Sequence, residues 1–158
     1  MRINSAENVA VFSRNHRDYL EEAKTIGARD PSERVVFRAK AKWATAERAI
    51  GRLGPIPIYL AAIGAAGQVE YEAKLCEVLL DPVAGSPEAD EWLDHVLEAT
   101  ASEGLWDPPV STLYAICACR TLKQPLPITR LVKLSDGEPI SADYGYSYAI
   151  VRAIDDLE

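Results

Sequence analysis

The sequence is short of the residues on which metal, redox and secreted proteins rely. It holds three cysteines, two histidines and one methionine. An odd cysteine count supplies no disulfide framework and suits a reducing compartment. Cys117 and Cys119, two apart on a strand, would share one face as small buried hydrophobes. Redox work favours Cys-x-x-Cys at an exposed helix start, which is missing. His16 and His95 fall in separate segments, and neither has a zinc-like spacing to a cysteine. No metal and no cofactor is therefore expected. Long apolar runs are absent as well: none approaches the roughly 20 residues that cross a bilayer. Met1 to Ser5 lacks the hydrophobic stretch of a secretion signal. The expectation is a cytoplasmic protein with no membrane partner.

Catalytic signatures are missing too. Gly51-x-x-Gly54 and Gly64-Ala-Ala-Gly67 match neither the dinucleotide fingerprint nor the phosphate loop, which needs Lys-Ser/Thr after its glycines. His16-Arg17-Asp18 has the form of a kinase catalytic loop, but nothing else of a kinase fits in 158 residues. No Gly-x-Ser-x-Gly occurs. The carboxylates are too many for any one pair to single itself out. The reading is a binding protein, not an enzyme.

What is present is a single domain, residues 1–158, long enough to bury about 70% of its unfolded surface. The net charge is −7, which taken whole disfavours generic polyanion binding. The charge is unevenly spread. Residues 1–55 carry +4 and residues 56–158 carry −11. Seven basic residues cluster from Arg29 to Arg52, among them Arg38, Lys40, Lys42 and Arg48. This hints at one positive face, against the alternative of a solvated helix surface.

The apolar pattern predicts an α+β chain. Strands are expected at Asn8–Phe12, Arg34–Ala39, Pro57–Ala65, Tyr71–Leu80, Thr112–Leu122 and Tyr144–Ile154. Pro57–Ala65 is apolar at both parities and should be buried on both faces. Tyr19, Leu20, Ala23 and Ile26 mark a helix capped by Ser13 or Asn15 and stopped by Gly27. Trp43 to Leu53 marks a second, ended by Gly54-Pro55. A third opens at Ser86-Pro87-Glu88 and buries Ala89, Trp92, Leu93, Val96 and Leu97. Residues 102–109 form a loop carrying Trp106, placed to lean over a pocket or to plug the barrel end. Ile128–Leu134 makes a helical turn or two. Strands at both ends and in the middle suggest a small closed or half-open barrel flanked by short helices. Tyr144, Tyr146 and Tyr148 alternate, so one strand would place all three on one face, as a packed ladder.

Taken in order, these segments resemble the PUA-like superfamily, closest to its EVE and YTH group. The resemblance rests on Ser13 after the first strand, Trp43-Ala44-Thr45, the strand from Gly54 to Ala65, and Gly67 to Val78 closed by Asp81-Pro82. It also rests on Leu113 to Leu134 with its Pro125-Leu126-Pro127-Ile128 turn, and on a terminal strand from Tyr144 to Val151. It implies a small PUA-like β-barrel that binds nucleic acid, DNA or RNA, and holds a modified base flipped into an aromatic pocket. Such a site needs a stacking surface, groups for the base edge and cations for the backbone. By position Trp43 would stack, and Trp106, in its loop, is a further ligand-binding candidate. Ser13, Thr45 and Asn15 would bond the base edge, and Arg38, Lys40, Lys42 and Arg48 would meet the backbone. Two features depart from the group: a pI of about 4.9, and Gly54-Pro55-Ile56-Pro57 where a polar strand start is usual. The alternative is a protein-interaction or small-molecule module on the same barrel.

Overall fold

Two tracts that are apolar at both parities become the buried middle of a sheet. The computed structural model, which describes residues 8–65, 67–95, 110–155 and 157, pairs β1 (Val9–Asn15) in parallel with β3 (Ile56–Ala62). Parallel neighbours need a long crossover. Here it contains α1 (Arg17–Arg29), β2 (Val35–Ala39) and α2 (Ala44–Leu53). β4 (Gln68–Leu80), β5 (Thr112–Pro127) and β6 (Tyr148–Arg152) pair antiparallel, giving the order β2-β5-β4-β3-β1-β6. α3 (Pro87–Leu93) lies between β4 and β5 in the chain, and a 3-10 turn at Ile128–Arg130 follows β5.

The α+β character is as the pattern predicts, but the six strands form an open sheet and not a closed barrel. Each edge is met by a different partner. On β2 the Val36 N–H donates to the His95 carbonyl at 2.9 Å. On β6 the returning segment 132–134 takes the outer edge, with Arg152 N–H to the Val132 carbonyl at 2.8 Å and Leu134 N–H to the Ile150 carbonyl at 3.1 Å.

α1 and α2 cover one face. Tyr19, Leu20, Ala23, Ala46 and Ala49 pack there on Val35, Phe37, Ile58, Leu60, Leu75 and Ile116. The other face is covered in two parts: residues 128–140 close over Phe12, Tyr59 and Val69, and α3 brings Trp92 against Val36, Leu113 and Ala115. The Ser86 cap is as expected, its hydroxyl accepting the Ala89 N–H at 3.1 Å. Val96, Leu97 and the 102–109 loop lie outside the described residues. No described helix is long and apolar enough to cross a membrane.

Several expectations are corrected. Gly27 does not stop α1, which runs on to Arg29. A Cβ there would lie 2.7 Å from the Cys119 backbone nitrogen, so glycine is what lets the helix approach β5. The last strand begins only at Tyr148, so the three tyrosines form no ladder; Tyr146 is 74% exposed. The cysteine reading also changes. The β4–β5 register shifts three times, and Ala118 has φ 55°, so strand parity breaks between Cys117 and Cys119. Cys119 joins the helix-side core beside Ile116, while Cys117 is bridged to Cys76 across the pair, Cα to Cα 6.8 Å. The disulfide removes one support for a reducing compartment.

Candidate functional site

The end of β1 brings Ser13 and Asn15 to the helix-covered face, beside β6, where Ser13 is the partner of Tyr148. Next to them four rings stack in a column. Phe37 and Tyr114, opposite each other on β2 and β5, stand 5.5 Å apart at 19°. Trp43 lies 4.0 Å from Tyr114 at 21°, and Tyr148 lies 4.6 Å from Trp43 at 13°. The indole is therefore held face to face between two tyrosines, and Trp43 is 1% exposed.

Sequence places Trp43 there by a short irregular link. It is the residue before α2, with φ −90° and ψ 49°, and its side chain makes no cap. Its N–H donates to the Thr112 hydroxyl at 3.1 Å, which itself donates to the Ala41 carbonyl at 2.8 Å. Thr112 is fully buried and ties the link to β5.

The polar groups are divided between satisfied and unsatisfied. Asn15 Nδ2 donates to the Tyr114 hydroxyl at 3.0 Å, and its Oδ1 accepts the His16 N–H at 2.9 Å. Ser13 also bonds the Tyr114 hydroxyl. Burial pushes the Tyr114 hydroxyl up to about 12, against those two hydrogen bonds. Trp43 Nε1 and the Tyr148 hydroxyl are sealed from solvent with no partner. The Ala46 backbone lies close enough to the Tyr148 hydroxyl to favour its ionised form, against the stronger effect of burial. Burial raises that hydroxyl to about 12, while the nearby Arg48 charge acts in the opposite sense.

Of the residues expected in the site, Ser13, Asn15 and Trp43 are brought together. Thr45 is not: it is exposed on α2, accepting from Arg48 Nη2 at 3.2 Å. Trp106 lies outside the described residues. Phe37, Thr112, Tyr114 and Tyr148 are members that sequence reasoning missed. Tyr114 reads as one more apolar position in a strand, and only the β2–β5 pairing shows what it faces.

Arg38, Lys40, Lys42 and Arg48 are all exposed, but they do not share one face. Strand alternation sends Arg38 to the α3 side with Val36, whereas Arg48 rides on α2 beside the stack. Lys42 pairs with Asp81 at 2.8 Å, and Arg34 with Glu77, so the acidic part of the chain offsets some of the basic run.

The column is a set of stacked ring faces with buried hydrogen-bonding groups beside them. Burial pushes the Tyr114 and Tyr148 hydroxyls up to about 12, so both keep their protons at neutral pH. Cys119, nearby in the core, is pushed to about 12 by burial and by the Glu21 charge. Among the described residues no group of three or more His, Cys, Asp or Glu side chains is placed to share a metal ion. On the opposite face a groove of about 410 Å³ runs between α3 and the sheet, lined among others by Arg34, Glu77, Glu91, Trp92, Asp94 and His95. Comparison with protein-family models and with curated proteins finds no match.

Proposed function

We propose that this chain is a non-catalytic nucleic-acid-binding module that takes a flipped-out, modified base of DNA or RNA at the Trp43 column. The observation that carries the reading is the pairing of ring faces with orphaned polar atoms. Buried tryptophan and tyrosine normally find hydrogen-bond partners, and Trp43 Nε1 and the Tyr148 hydroxyl have none. A base supplies both a π face and edge acceptors. Ser13 and Asn15 stand beside the same rings to read that edge, and exposed Arg48 and Lys40 supply positive charge for phosphates, with Lys42 shared with Asp81. These are positions the PUA-like resemblance also implies.

The test is fluorescence anisotropy on single-stranded oligonucleotides that differ by one modified base. A modified strand should bind more tightly, and Asn15→Ala should reduce the preference by about tenfold, the effect of a lost hydrogen bond to a buried polar edge. Equal affinity for modified and unmodified strands would remove the base-reading role. The acid-lined groove beside α3 favours a second reading, a protein-interaction or small-molecule module. That reading requires no oligonucleotide binding even at low salt.

A further inference from the structure

Nothing can reach Trp43 Nε1 or the Tyr148 hydroxyl while the indole stays where it is, because both atoms are closed off from solvent. Any ligand of the column must therefore displace a ring. The two tyrosines are fixed within strands, Tyr114 in β5 and Tyr148 at the start of β6. Tyr114 is further held by Asn15 and Ser13. Trp43 is the member on irregular backbone, tied through its N–H to Thr112 but with an indole that makes no hydrogen bond. Its backbone is anchored independently of its side chain.

We infer that Trp43 is a displaceable plug and that the slot it fills between Tyr114 and Tyr148 is a purine site. The inference rests on the nucleic-acid reading above. Indole and purine are both planar fusions of a six-membered and a five-membered ring. A slot that holds an indole at 4.0 and 4.6 Å from two near-parallel tyrosines has the thickness and length for a purine. A single-ring pyrimidine would leave half of it empty. At the tyrosine end, Ser13 and Asn15 offer a hydroxyl and an amide to the purine edge. The closed column is then a self-occupied state. Apparent affinity is reduced by the fraction of molecules in which the indole is in place.

The experiment uses the full chain and two single-stranded oligonucleotides, one with a central 2-aminopurine and one with a central pyrrolocytosine. Both are fluorescent bases whose emission drops on stacking. Trp43→Phe keeps a ring in the core but shortens the plug, and Trp43→Ala removes it. The expected result is quenching of 2-aminopurine by the parent protein and about tenfold tighter binding of that strand by Trp43→Phe, as for a slot open about a tenth of the time. If Trp43→Ala unfolds, the Phe variant carries the test. Weaker or unchanged 2-aminopurine binding by Trp43→Phe would overturn the plug while leaving nucleic-acid binding intact. Equal quenching and affinity for pyrrolocytosine would overturn the purine class. Failure of parent and variants to bind either strand at low salt would overturn the nucleic-acid reading itself, and the plug with it.

Discussion

Burying a polar atom without a partner costs about 1–3 kcal/mol, and the column does so twice. At the Tyr148 hydroxyl the cost can be removed without disturbing the ring. Tyr148→Phe should raise stability by roughly 1 kcal/mol, which for a chain of this size is about 2–4 °C in melting temperature. A fall in melting temperature would show that the hydroxyl is bonded. The same burial sets an alkaline limit. Tyr71, Tyr114 and Tyr148 are each pushed up to about 12, burial being the first cause for all three. An unfolded tyrosine titrates near 10. Above pH 10 the unfolded chain loses protons that the folded chain keeps, so stability is full below pH 10 and falls as pH rises toward 12. Thermal unfolding measured across that window should decline, and less steeply in Tyr148→Phe. A flat profile would mean that these hydroxyls are not shielded.

Among the elements, those whose signal is local were legible in the sequence and those set by pairing were not. β3 is apolar at both parities and sits in the middle of the sheet, and Ser86 caps α3 as its spacing to Pro87 and Glu88 indicates. The bulges of β4 and β5 leave no such mark, because a register shift belongs to two strands at once. That is why Cys117 reads as the same-face companion of Cys119 and turns out to be bridged to Cys76. Reduction of that bridge, or Cys76→Ser, should lower stability by about 2–4 kcal/mol through the 41-residue loop it closes. An unchanged urea midpoint would exclude a closed bridge. Gly27 is the other misreading: glycine near a helix end resembles a stop, and here it marks close approach. In an open helix Gly→Ala gains about 1 kcal/mol. Gly27→Ala instead drives a Cβ into the Cys119 backbone at 2.7 Å. A net loss of about 1–3 kcal/mol is expected, as for overpacking. A more stable variant would show that α1 can move off β5.

At the scale of the whole molecule, the candidate site was half legible. Ser13, Asn15 and Trp43 announce themselves by residue type and order, whereas Tyr114 and Tyr148 arrive from strands 71 to 135 residues away from Ser13 or Trp43 only when the sheet assembles. The charge distribution behaves in a similar way. A +4 segment followed by a −11 segment reads as one basic face, but folding sets Lys42 against Asp81 and Arg34 against Glu77. Among the described residues of the basic run, Arg48 stands beside the column and Lys40 precedes it in the link, with Lys42 shared with Asp81. Binding carried by them should therefore have a shallow salt dependence. Each phosphate neutralised on a single strand contributes a slope of about −0.7 in log affinity against log salt. Three contacts give a slope of about −2, so affinity should fall roughly twentyfold between 50 and 200 mM salt. Generic polyanion binding through many lysines and arginines would fall by orders of magnitude more. Arg48→Ala should make the slope less negative by about 0.7 and weaken modified and unmodified strands alike, since a phosphate contact carries no information about the base. Affinity titrations of both proteins over that salt range decide the matter. A slope near zero, unchanged in Arg48→Ala, would mean that the cations beside the column do not touch the backbone.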